Sequence, residues 1–221
     1  MIVPSLHAAT AVVLAGLLAC DPQPAPDIQV NYTEKKPVFF NSHSTAQLRA
    51  IAPSMGTVNL ADFPVTTGVT RGKITMETSI LFRSLGNLLG RYCLWQAEVT
   101  INVTYRPEVY IAKEYRPGTC RYTQTKLHEL RHVEIDKGVM KDLLPELKKV
   151  VAARAAKIGV RGPFDDTQRE AAKSVLLHSM QDAVSAELDR IESVRAMRQQ
   201  MVDTPAEYTR LSLSCPGEPI R

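Results

Sequence analysis

The clearest pattern along the chain is an alternation over residues 93–105, CLWQAEVTINVTY. Cys93, Trp95, Ala97, Val99, Ile101, Val103 and Tyr105 occupy one face, and Gln96, Glu98, Thr100, Asn102 and Thr104 the other. A period of two predicts a half-buried antiparallel strand. Residues 69–82 predict its pairing partner and residues 28–40 an extended pair, while Ser44 with Gln47 reads as a capping box opening a short helix through Ala52. After Pro117-Gly118 the apolar period lengthens to that of a helix, from about Thr123 to Val160, with a bend expected at Pro145. Gly162-Pro163 and a capping Asp165 or Asp166 announce a second long helix running to about Val202, where Thr204-Pro205 closes it. A sheet followed by two long helices predicts an α+β fold.

The chain start changes the domain picture. Residues 8–19, AATAVVLAGLLA, form an apolar run of signal-peptide length, too short to span a bilayer comfortably, although the preceding MIVPSLH carries no Lys or Arg. The run ends in LLAC, which resembles the lipobox of bacterial lipoproteins. That resemblance implies a signal peptide at 1–19 and a lipidated Cys20 that anchors the mature chain to a membrane. Asp21 resembles the signal that keeps some lipoproteins on the inner membrane. The Pro-rich DPQPAPD completes a tether over 20–27, leaving 28–221 as one domain. The competing reading is an N-terminal helix retained in the fold.

Composition adds little beyond a globular chain, with 44% hydrophobic and 23% charged residues. Net charge is +4, and acids and bases are interspersed without a basic tract, which argues against a nucleic-acid partner. With Cys20 lipidated, Cys93, Cys120 and Cys215 remain for one bridge and one odd thiol in an oxidising compartment. Cys93 and Cys120 bracket what reads as a single strand-and-turn excursion and are the expected pair, contributing roughly 3 kcal/mol in the chain-entropy picture.

Chemistry concentrates in KLHELRHVEID, residues 126–136. In a helix, His128 and His132 lie on one face about 6 Å apart, so their Nε2 atoms can converge on one ion. Glu129, about 100° round from His128, is placed to reach a metal-bound water without ligating the metal. The HExxH spacing therefore predicts a Zn²⁺ site held by His128 and His132 with Glu129 as general base. The bland alternative is a solvated helix face with both histidines paired to neighbouring acids.

With these residues in view, the chain resembles the bacterial family of secreted zinc-dependent proteases, an HExxH-containing domain of zincin-like type. The resemblance runs through NYTEKKPVFF, STAQL, CLWQAEVTINVTYRPEV, LHELRH and the tail QQMVDTPAEY. It implies a zincin-like fold, a zinc cofactor and a peptide or protein substrate. The family's tail more often has a Tyr-Asp pair followed by Thr and His-Gly, whereas here Val202 and Asp203 are followed by Glu207 and Tyr208.

A zinc hydrolase needs a third protein ligand and an open fourth position. Asp136 lies about 12 Å along the helix from His128, too far to converge, and Glu134 points away. Glu187 sits on the apolar face of the second long helix with Leu176, Met180, Ala183, Val184, Ile191 and Val194, where a carboxylate needs a partner. It is a candidate third ligand, weighed equally with a salt bridge to Arg or Lys on the first helix, and Asp203 and Glu207 are rivals. Tyr208 and Arg195 are candidates for oxyanion stabiliser, and His43 and His178 are expected at the surface. The sequence thus points to a membrane-tethered periplasmic zinc peptidase. The alternative is a non-catalytic envelope lipoprotein whose metal is structural or lost.

Overall fold

The computed structural model describes residues 20–52 and 65–218. The expected signal segment, 1–19, lies outside the described residues. The elements run β1 (Asp27–Glu34), β2 (Val38–Phe40), α1 (Thr45–Ile51), β3 (Gly68–Gly86), β4 (Arg91–Ile111) and α2 (Cys120–Ile158). They continue with β5 (Arg161–Asp165), a 3-10 turn (Asp166–Gln168), α3 (Arg169–Gln200) and α4 (Pro205–Leu213). The fold class is α+β, as the order of patterns predicts. β4 is the hub of a five-stranded mixed sheet and pairs with each of β1, β2, β3 and β5. β2 runs parallel to it, with Phe39 opposite Val109, and β5 antiparallel, with Tyr92 opposite Phe164. Among the described residues, no helix is long and apolar enough to cross a membrane.

The capping box forms as read: Ser44 Oγ accepts from Gln47 N at 3.2 Å and Gln47 Oε1 from Ser44 N at 2.8 Å. The alternation in β4 holds from Val99 to Tyr105 but changes phase upstream, where Leu94 and Gln96 are the buried residues and Trp95 is only half-buried. A shift of one residue in a strand exchanges its faces, and here that shift falls between Gln96 and Val99, separate from the register irregularity at Tyr92–Leu94. Gly162-Pro163 lies in the short strand β5 before the helix begins. Pro145 lies inside α2, which continues through it to Ile158.

The chain divides into two compact units. One comprises the residues up to Val30, Thr78–Ile101 and Leu147–Ala186. In it Arg91 Nη1 meets Asp165 Oδ1 at 2.8 Å, and Arg154 Nη2 donates to Ser179 Oγ at 2.7 Å, joining α2 to α3. The other comprises Asn31–Glu77, Asn102–Glu146 and Glu187–Arg221. Its apolar core includes Leu48, Val69, Tyr105, Val109, Ile111 and Val133, and Phe40 stacks on Tyr110 at 4.8 Å.

The cysteine expectations need correction. Cys20 is bonded to Cys93 and Cys120 to Cys215. A Cys93–Cys120 bridge is excluded because each sulfur is already bonded to a different partner, and a sulfur forms only one disulfide. Cys215 is not an odd thiol. Nor is Cys20 available as a lipid anchor in this structure, because a sulfur in a disulfide has no valence left for a thioether. The loops closed span 73 and 95 residues, worth roughly 4–5 kcal/mol each in the chain-entropy picture. Two disulfides fit an oxidising compartment, extracellular or periplasmic.

Candidate metal centre

The motif helix buries a stripe of polar groups. Thr125, His128, Glu129, His132 and Asp136 recur at helical spacing on α2 and are at most 7% exposed, which rules out a solvated face. Buried polar groups need partners. His128 Nε2 lies 3.1 Å from Asp203 Oδ1, His132 Nε2 lies 3.2 Å from the same oxygen, and the two Nε2 atoms are 3.2 Å apart. Asp203 arrives on the turn between α3 and α4. Glu187 does not converge: its carboxylate pairs with Arg190, three residues along the same helix. The partner a buried carboxylate requires is thus supplied locally.

The outer nitrogens fix the tautomers. His128 Nδ1 faces Glu207 Oε1 at 3.2 Å. Glu207 is held at about 2, first by the hydrogen bond from Arg210, against the opposing effect of burial, then by His128 and Arg131. An ionised carboxylate only accepts, so Nδ1 of His128 carries the proton. His132 Nδ1 faces Gln199 Oε1. The amide orientation is set because Gln199 Nε2 donates to Asp136 Oδ1 at 2.6 Å and to His132 O at 3.0 Å. Neutral imidazoles so fixed direct two Nε2 lone pairs and a carboxylate oxygen at one point. Three acceptors at 3.1–3.2 Å repel unless a cation or shared protons lie among them. The donor set of two imidazole nitrogens and one carboxylate oxygen fits zinc.

Without a metal, protons fill that role. Burial opposes charging both histidines, but their hydrogen bonds to Asp203 and the charge of Glu129 outweigh it, raising His128 and taking His132 to about 9. Asp203 moves the other way, well below its usual range, because the two histidines outweigh its burial. Burial raises Glu129, against the pull of the two histidines. Thr70 Oγ1 donates to its Oε2 at 2.8 Å, and Gly68 leaves room for its Oε1, which a Cβ there would approach to 2.6 Å.

No protein-family profile, curated protein or solved structure matches the chain.

Behind the donors lies a buried network. Asp136 accepts from Arg195 Nε at 2.9 Å and Nη2 at 2.6 Å, and from Tyr105 Oη at 2.9 Å. It is an outer support, as its distance along the helix requires, and it holds Arg195 in that network. Tyr208 instead lines a small cavity with Glu129, His128, His132 and Asp203, about 20 Å³ in volume, enough for roughly one water. Its hydroxyl donates to Asp203 Oδ1 at 3.1 Å. Gln199, Asp203, Glu207 and Tyr208 all come from QQMVDTPAEY. The roles of Gln199 as a tautomer-fixing acceptor, and of Thr70, went unread in the sequence. Of the other histidines, His178 is exposed and His43 is half-buried against Tyr110.

Proposed function

We propose that this chain is an exported zinc-dependent hydrolase, a peptidase working on the periplasmic side of the cell envelope, as its resemblance to the secreted zinc-dependent proteases also implies. The observation that carries the reading is the convergence of His128 Nε2, His132 Nε2 and Asp203 Oδ1 beside a buried Glu129. Three protein donors with room for one water match a catalytic rather than a closed structural site. Bound there, zinc would polarise a carbonyl and lower the pKa of its water to about 7. The chain's own residues do the rest. Glu207 and Gln199 hold the imidazoles with their Nε2 lone pairs inward. Asp203 balances the charge, fixed in turn by the Tyr208 hydroxyl. Glu129, anchored through Oε2 by Thr70 and raised by burial, accepts a proton from the water and returns it to the leaving amine.

The approach of both His128 and His132 Nε2 to Asp203 Oδ1, at 3.1 and 3.2 Å, also fits one second reading, an inert ionic cluster of the two protonated histidines around Asp203 in a non-catalytic envelope protein. Two variants separate the readings. His128→Ala should lose most bound zinc. Glu129→Gln should keep about one zinc per chain and its thermal stability, yet lose hydrolysis by roughly 10²–10⁴-fold. Zinc is counted by elemental analysis and cleavage is followed on a mixed peptide library. Equal cleavage by wild type and Glu129→Gln sinks the mechanism, and wild type without zinc affinity favours the ionic cluster.

A further inference from the structure

Next to the metal centre lies a second, larger cavity of about 340 Å³, at the lower end of the range for small-ligand pockets. Three chain segments each give one residue to this cavity and a near neighbour to the donor cavity. These are Thr67 beside Gly68 at the start of β3, Thr125 one turn before His128 on α2, and Tyr208 on α4, which lines both. Gly68 is the thin point of the partition: a Cβ there would lie 2.7 Å from Thr125 Cγ2 and 2.6 Å from Glu129 Oε1. A ligand in the larger cavity therefore lies against the same wall as the proposed base.

The other walls are mainly apolar, formed by Val65, Pro205, Leu211 and Leu213 beside the hydroxyl-bearing Thr209 and Ser212. The charged residue on the wall, Arg121, is turned to the chain's own backbone. Its Nη1 donates to Leu211 O, and its Nη2 to Ser212 O at 3.2 Å and Glu218 O at 2.8 Å. Its Nε is enclosed within the protein, so the guanidinium serves the fold. Walls of this kind suit a large apolar side chain of an amino-acid residue. They do not suit a carboxylate or phosphate, which would demand several donors. We propose that this cavity is the specificity pocket of the site, taking a large apolar side chain of a peptide next to the cleaved bond. The word "cleaved" rests on the hydrolase reading; the ligand class does not.

The test uses N-acetyl-leucine amide and N-acetyl-aspartic acid amide as probes of the full mature protein by saturation-transfer NMR, with metal removed by chelation. Thr209→Trp fills the pocket from an exposed lining position, and Leu213→Trp does so from the exposed rim. The leucine probe should bind at least tenfold more tightly than the aspartate probe. Affinity should fall at least tenfold in whichever filling variant folds, and stay unchanged in Arg198→Ala, a surface control. Equal binding of the two probes, or full binding by a folded filling variant, overturns the pocket. In a second arm, zinc-loaded wild type should cleave a peptide library beside Leu, Ile, Met or Phe, and the filling variant should lose that preference at least tenfold. Leucine binding without any cleavage defeats the hydrolase reading and leaves the pocket's ligand class standing; cleavage with no apolar preference defeats the pocket alone.

Discussion

Gln199 connects the donor cluster to the buried ion pair behind it, and its replacement tests the tautomer argument. Its Oε1 accepts from His132 Nδ1, and its Nε2 donates to Asp136 Oδ1 at 2.6 Å and His132 O at 3.0 Å. Gln199→Leu keeps a similar volume and removes all three contacts. His132 then loses the acceptor that holds its proton on Nδ1 and its lone pair on the donor side. Loss of such an outer partner weakens metal affinity about 10–100-fold, or about 1.4–2.7 kcal/mol. Asp136 keeps Arg195 and Tyr105, so the folding cost is limited to the lost amide bonds, about 1–3 kcal/mol. For a chain of this length each kcal/mol lowers Tm by roughly 2–4 °C. Zinc affinity would be measured by competition with a chromophoric chelator, and stability by thermal melting of the metal-free protein. Arg198→Ala is the control, since that side chain pairs with Asp142 at the surface. A folded Gln199→Leu protein with wild-type zinc affinity refutes the claim that Gln199 sets the His132 tautomer.

Without metal, His132 is raised from 6.5 to about 9, the Asp203 hydrogen bond and the Glu129 charge outweighing the downward effect of burial. A raised histidine stabilises fully below its unfolded value and loses that contribution as pH climbs through the folded one. Melts of the metal-free protein should therefore show stability falling by about 3 kcal/mol between pH 6.5 and 9. Stabilisation by added zinc should grow over the same interval, and a flat metal-free profile contradicts the assignment. Gly68→Ala places a Cβ 2.6 Å from Glu129 Oε1. It should lower stability by about 1–3 kcal/mol and depress hydrolysis at least tenfold while zinc stays bound; unchanged turnover would show that Glu129 is not held by this contact. Peptide mapping of the exported protein without reductant should recover Cys20 linked to Cys93 and Cys120 linked to Cys215, and an acylated Cys20 with a free Cys93 thiol would restore the lipid anchor.

Features with a local cause were legible in the sequence. The Ser44–Gln47 box is one turn of chain satisfying its own donors, and α2 follows from a sustained helical period. The misses come where one signal has two meanings. Thr204-Pro205 reads as the stop of a helix, and it is also a start: Thr204 accepts from Glu207 N at 3.2 Å and Pro205 sits where a missing N–H does no harm. A single alternating phase along β4 misplaces one face upstream, because the strand changes phase between Gln96 and Val99. Disulfide partners depend on which ends the fold brings together, and nothing local in the sequence records that the N-terminal segment meets Cys93.

The site divides in the same way. His128, Glu129 and His132 were legible because one helical turn sets their relation, whereas Asp203 is 71 residues from His132 and reaches it only through the packing of α3 and α4. Glu187 is a carboxylate on an apolar face and needs a partner, and Arg190 supplies it from the next turn. A buried acid is therefore evidence for a metal only after the basic residues three and four positions away have been considered. One signal did mark the carboxylate that converges on both histidines, Asp203. Gln199, Asp203 and Glu207 recur every four residues through QQMVDTPAEY, the spacing of one helical face. The helix breaks between Gln200 and Pro205, and that break lets Gln199 support His132, Asp203 meet both imidazoles and Glu207 turn back to His128. A polar four-residue rhythm that persists across a helix break fits no solvated face, because the break would scatter it. It fits residues gathered around a single point.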